Sequence, residues 1–173
     1  MACIRRVNGV SPIFGKQIFL ADNATVIGDV VFGDDCSVWF QAVVRGDVNT
    51  IRIGHRVNIQ DGAIIHCTWK TASTQIGNDV SIGHRAIVHG CTLGNDILVG
   101  MGAIVMDHAM VEDRVLIAAG AVVLERSVLE SGFLYAGIPA RKVKPLGEEE
   151  FKGTIARIST NYMTYAGWFR EGT

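Results

Sequence analysis

Apolar residues recur every six positions along most of this chain. From Val38 the step passes through Val44, then Ile53, Ile59 and Ile65, then Ile76, Ile82 and Val88. It runs on as Leu93, Val99, Val105, Val111, Ile117 and Val123. Small residues often follow four places later, at Ala42, Val57, Ala63, Val80, Ala86, Ala103, Val115 and Ala121. A helix repeats about every 3.6 residues and a strand every two, so neither sustains a step of six over this length. The pattern is that of a hexapeptide-repeat β-helix, in which three short strands make one coil of a triangular prism. An all-β solenoid is therefore the expected fold.

The repeat begins near Leu20 and weakens towards Ala140, which divides the chain into three parts. Residues 1–18 are an N-terminal lead-in, residues 19–143 the β-helix, and residues 144–173 a C-terminal helix packing on it. The last part changes period: after Glu148, Glu149 and Glu150 come Phe151, Ile155, Ile158, Tyr162, Tyr165 or Ala166, and Phe169. Spacings of three and four make an amphipathic helix, and three glutamates suit the positive end of its dipole. From that helix the polar tip of Tyr162 could reach a neighbouring site.

Composition agrees with this frame and excludes several functions. Hydrophobic residues are 49% and charged residues 19%, with 20 glycines and only 3 prolines, as a stack with an apolar interior and tight corners requires. The net charge of −1 favours neither nucleic acid nor an anionic membrane. No apolar run approaches the length of a membrane span, and the start, Met-Ala-Cys-Ile-Arg-Arg, has no apolar signal core. Cys3, Cys36, Cys67 and Cys91 form no CxxC pair, so a reduced, cytoplasmic location is expected.

The step of six breaks twice. Val44 to Ile53 is nine residues, leaving three extra within Gly46–Thr50, and Ile65 to Ile76 is eleven, leaving five extra within Cys67–Thr74. Insertions in a solenoid bulge at corners, often on the working face. These two flank three histidines. Residues three hexads apart stack on one face, about 4.8 Å apart, which puts Arg45, His66 and His89 in one outward column. It also puts Asp61 below His84, near a corner, with Gln60 beside Gly83. His66 and His89 are then close enough to share one ion, whereas His84 is too far round the prism to join them. A threefold ring of such prisms would bring His84 of one subunit to His66 and His89 of the next, and Asp61 of one to Arg45 of the other. The expectation is a homotrimer with one metal ion at each subunit interface. Three neutral imidazoles with a fourth position open are the ligand set of a catalytic zinc. Such an ion lowers the pKa of its water towards about 7, and Gln60 could orient the resulting hydroxide. Imidazole suits iron as well as zinc. His55 and His108 read as ordinary surface residues, and Cys67 and Cys91 as small residues at corners. Trp69, on the longer bulge, is either a lid or an interface residue.

At this point the motifs resemble a known family. Arg45–Gly46–Asp47, Asn58–Ile59–Gln60–Asp61, His66, Ile82–Gly83–His84 and His89–Gly90–Cys91, followed by Ile97–Leu98–Val99–Gly100–Met101–Gly102–Ala103, resemble the γ-class carbonic anhydrases over almost the whole chain. The resemblance implies a left-handed β-helix and a trimer with Zn2+, Fe2+ or Co2+ held by His66, His84 and His89. It implies an Arg45–Asp61 salt bridge, Asp47 near the site, and Gln60 beside the bound water. In the short bacterial subgroup that the chain most resembles, a tyrosine of the C-terminal helix lines the site, and Tyr162 holds that position. The implied activity is reversible hydration of CO2 to bicarbonate by metal-bound hydroxide.

The chain departs from the family's prototype in one respect: neither bulge carries the glutamate that takes the proton to solvent. Two alternatives therefore stand beside a carbonic anhydrase. One is a hexapeptide acyltransferase acting on acyl-CoA, since Gly137–Ile138–Pro139–Ala140–Arg141 is similar to the closing coil of those enzymes. The other is a non-catalytic metal-binding trimeric scaffold.

Overall fold

Three vertical columns of side chains fill the interior, one behind each face of a prism. On the first face Val44, Ile65, Val88, Val105 and Val123 stack in parallel register. On the second, Ile53, Ile76, Leu93, Val111 and Leu129 do the same. The third holds Leu20, Val38, Ile59, Ile82, Val99, Ile117 and Tyr135. These are the residues of the six-step, and nearly all are fully buried. The small residues four places on sit where the wall turns: Ala42, Ala63, Ala86, Ala103 and Ala121 are almost wholly buried, and a longer side chain would not fit inside so narrow a corner. The computed structural model describes residues 1–171. It is a left-handed parallel β-helix of about seven coils with a C-terminal helix.

Both breaks in the step are bulges. Thr25–Phe32 and Val43–Ile53 are long strands that turn a corner together. Gly28 stands opposite Gly46 and Val30 opposite Ile51, so Asp29 alone faces the four residues 47–50, an excess of three. Gly28 has φ +75°, and a Cβ there would run into the Gly46 carbonyl, so only glycine fits. In the longer insertion the Thr68 N–H donates to the Ala72 carbonyl at 3.0 Å, which projects Trp69 and Lys70 outward, both exposed.

The coils end in a reversal. Arg141–Pro145 runs antiparallel to Phe133–Ala136. Helix then starts at Glu148, takes i→i+5 hydrogen bonding over Phe151–Ala156, and continues as Arg157–Glu171. It lies over the third face. Ile155, Ser159 and Ala166 are buried there, and the Trp39 ring meets Tyr162 and Phe169 edge-on at 5.2 and 5.5 Å. Beneath it the outward residues of the third face, Ser37, Asn58 and Ser81, are buried as well. Among the described residues no helix is long and apolar enough to cross a membrane.

Candidate functional site

His66 and His89 end the strands Ile64–His66 and Ile87–His89. Ile65 and Val88 point inward at 0% exposure, so alternation turns the next residue of each strand outward. The two histidines are register partners on adjacent coils, as the six-step places them. Their rings lie 5.0 Å apart, with His66 Nδ1 3.0 Å from His89 Nε2.

The far nitrogen of each ring is committed to a carboxylate. His66 Nε2 lies 3.2 Å from Asp47 Oδ1, and Asp47 Oδ2 accepts from Arg45 at 2.6 Å. His89 Nδ1 lies 2.5 Å from Asp107 Oδ1, while Asp107 Oδ2 accepts from the Thr68 hydroxyl at 2.5 Å. A carboxylate can only accept, so it draws the imidazole proton to its own side. With both protons on the carboxylate side, the lone pairs of His66 Nδ1 and His89 Nε2 face each other.

The two bulges buttress this pair. Asp47 comes from the shorter one and Thr68 from the longer, and Asn49 links them by donating to the Thr68 carbonyl at 3.2 Å. Buried Thr74 donates to the His66 carbonyl at 2.6 Å and accepts from the Gly90 N–H at 3.0 Å.

His84 stands elsewhere, on the corner after Ser81–Ile82. Its Nδ1 lies 2.9 Å from Asp61 Oδ2, and its Nε2 faces the Tyr162 hydroxyl at 3.4 Å. Gln60 is buried beside it and donates through Nε2 to Asn58 Oδ1 at 3.0 Å. Asn58 donates in turn to Ser81 Oγ at 2.7 Å. Gln60, His84 and Tyr162 close one end of a cleft of about 370 Å³ between helix and third face, whose walls include Leu98, Leu116 and Ile158.

The structure therefore brings together Arg45, Asp47, His66 and His89 on one face, and Gln60, Asp61, His84 and Tyr162 at another corner. Within one chain Arg45 pairs with Asp47, and Asp61 with His84. Among the described residues no three histidine, cysteine, aspartate or glutamate side chains converge as a metal-ligand set. The supporting roles of four residues escaped the sequence reading: Asp107, Thr68, Asn58 and Ser81. The register of Val88 with Val105 carried the signal for Asp107, since it places the residues after Val105 one coil beyond His89 and Gly90.

Electrostatics separate the groups by role. Burial pushes the Asp47 carboxyl up, but hydrogen bonds from Arg45 and His66 and the Arg45 charge outweigh it and hold the carboxyl below its ordinary range. Asp107 follows the same pattern, with burial outweighed by Thr68 and His89. Burial, against the pull of Asp47, lowers the His66 imidazole and so favours its neutral form. Burial and then the Asp61 charge push the Tyr162 hydroxyl up to about 12. The Cys91 thiol is pushed to about 12 by burial and Cys67 is raised for the same reason, which marks both as inert corner residues.

No protein-family model matches the chain. It is similar to a carbonic anhydrase of Geobacillus kaustophilus, 40% identical over 94% of this chain and 88% of that protein. It is also similar to mitochondrial gamma carbonic anhydrase 2 of Arabidopsis thaliana, 40% identical over 90% of this chain and 58% of that protein. Among solved structures, a hexapeptide transferase family protein of Anaplasma phagocytophilum superposes with a TM-score of 0.91 at 40% identity, covering 96% of this chain and 98% of that one.

Proposed function

The chain belongs to the γ-class carbonic anhydrase-like family, and from that premise we propose that it is a metal-dependent enzyme hydrating CO2 to bicarbonate at the subunit interfaces of a homotrimer. One observation carries the reading: His66 Nδ1 and His89 Nε2 face each other at 3.0 Å, each with its other nitrogen held by a carboxylate. Two unshared pairs that close repel unless a proton or a metal ion lies between them, and with both ring protons on the carboxylate side the place is open to a metal. Nitrogen ligands about 2.0–2.1 Å from one tetrahedral ion stand roughly 3.3 Å apart, so the donor set fits. Zn2+, Fe2+ and Co2+ are all suited to it.

His84 of a neighbouring subunit supplies the third ligand. Its Nδ1 is occupied by Asp61, which leaves Nε2 to ligate. Docking is supported by an outward ladder on the His66 face, where Val43, Ile64, Ile87, Ile104 and Val122 follow one another in register. Ile64 is 40% exposed there, and a second copy packed on the ladder would cover it. Arg45 of one subunit and Asp61 of the next then extend the charge network across the junction.

A divalent ion held there supplies the Lewis acidity that makes hydroxide available near neutral pH. The protein's own residues orient the reactants. Gln60, its amide N–H turned to Asn58, presents its carbonyl oxygen as an acceptor for the attacking water's proton. Tyr162 stays protonated at neutral pH and donates to a substrate oxygen. Arg45 and Asp47 hold His66 in place. With no glutamate on either bulge, the proton leaves through buffer, so turnover rises with buffer concentration.

The test is stopped-flow CO2 hydration with zinc-loaded protein and, anaerobically, iron(II)-loaded protein, each beside His84→Ala. Hydration that His84→Ala abolishes upholds the proposal. A metal-replete trimer without hydration overturns the activity and favours the scaffold role. The apolar cleft beside His84 supports a second reading, an acyltransferase like those of the wider hexapeptide group. Coenzyme A binding to metal-free protein would favour that reading.

A further inference from the structure

Each of the three candidate ligand histidines faces a carboxylate: His66 faces Asp47, His84 faces Asp61 and His89 faces Asp107. The third, Asp107, sits one coil beyond His89 and reaches back to its Nδ1 at 2.5 Å. Its other oxygen is taken by the Thr68 hydroxyl at 2.5 Å. Thr68 belongs to the five-residue insertion, which is closed by its own backbone pairing with Ala72 and joined to the first bulge through Asn49. Gly90 allows this approach, because a Cβ there would collide with the Asp107 carboxylate.

We propose that Asp107, braced by Thr68, is a positioning residue that fixes His89 as the Nδ1–H tautomer and so keeps its Nε2 lone pair turned towards His66. An imidazole on a surface strand otherwise exchanges both its tautomer and its ring angle. A carboxylate clamped at its second oxygen removes both freedoms, because it can accept but not donate and cannot rotate away. The long insertion is thus a buttress that prepares a ligand. The affinity part of this inference rests on the metal-centre reading, whereas the tautomer part does not.

The experiment is histidine nitrogen NMR on isotope-labelled, full-length, metal-free protein, with His89 assigned by its loss in His89→Gln. The wild type is expected to show His89 protonated at Nδ1. Asp107→Ala moves the proton mainly to Nε2, the form that a free imidazole prefers in water. Asp107→Asn keeps Nδ1–H, because its amide oxygen still accepts. Zinc affinity, measured by chelator competition, falls about 10- to 100-fold in Asp107→Ala and stays near wild type in Asp107→Asn. Thr68→Val, which removes only the brace, gives a smaller loss in the same direction and serves if Asp107→Ala does not fold. Nδ1–H persisting in Asp107→Ala overturns the proposal, as does equal loss of that tautomer in Asp107→Asn. Protein that binds no zinc but shows the expected tautomers would refute the metal reading and leave the clamp standing.

Discussion

His66 Nδ1 lies 3.0 Å from His89 Nε2, and both nitrogens point away from the carboxylates that hold their rings. Such a pair is poised for a cation. Zinc added to metal-free protein should therefore raise its melting temperature, by the equivalent of about 2.7 kcal/mol at a hundredfold excess over Kd. His84→Ala should lose most of that increment while keeping the far-ultraviolet dichroism of the fold, because the core columns do not use His84. Calorimetry with and without zinc checks both outcomes.

Tyr162 should ionise late. Its folded pKa is raised from 10.0 to about 12, by burial and then by the Asp61 charge. The sign follows: the fold favours the neutral phenol, so the associated stability is fully present below pH 10 and is lost as pH rises towards 12. The tyrosinate absorbance difference between wild type and Tyr162→Phe should appear near pH 12. A midpoint near 10 would contradict the burial described for this hydroxyl.

Asn58 fixes Gln60 from below. Asn58→Ala leaves the Gln60 amide and the Ser81 hydroxyl without their partner beneath the helix. Stranding buried polar groups costs about 1–3 kcal/mol, which a urea unfolding midpoint would report. Hydration should fall in the same variant, since the Gln60 carbonyl no longer has one orientation.

Gly28→Ala should weaken the first bulge. The residue sits at φ +75° with the Gly46 carbonyl in the way of a Cβ, so alanine must displace the strand that leads to Asp47. The expected cost exceeds about 1 kcal/mol, again read from the urea midpoint. Gly102→Ala is the control: it shares the positive φ, but its Cβ would meet nothing within 4 Å.

The fold was legible because its period is carried by side chains that nothing else would space this way. Val44, Ile65 and Val88 must all face inward, and the register that stacks them puts His66 against His89 without further information. The bulges were legible as counts, three and five residues too many, but not as shapes. Which of their side chains turn back to the histidines depends on backbone turns that a count does not encode, and so Thr68 and Asp107 were missed. The Asn58–Ser81 ladder was hidden differently. The six-step does not say whether outward polar residues are covered, and the helix lying over Asn58 and Ser81 buries them. Arg45 shows a further limit: a partner two residues away, Asp47, competes with the Asp61 that register suggested.

The reversal at Arg141–Pro145 bears on how the stack of coils ends. A stack of parallel coils is a template, and its last open rung would offer unpaired amides to any passing chain. On the third face the chain supplies its own stopper. The final strand runs backwards, so it cannot seed another coil in the same sense. It also carries Pro145, which has no amide hydrogen to give, and the charged Arg141, Lys142 and Lys144. The two lysines pair with Glu130 and Glu150, and charges on an edge strand discourage further pairing. A further coil at that rung would meet a reversed strand, charged side chains and a proline, so this end of the stack guards its own edge.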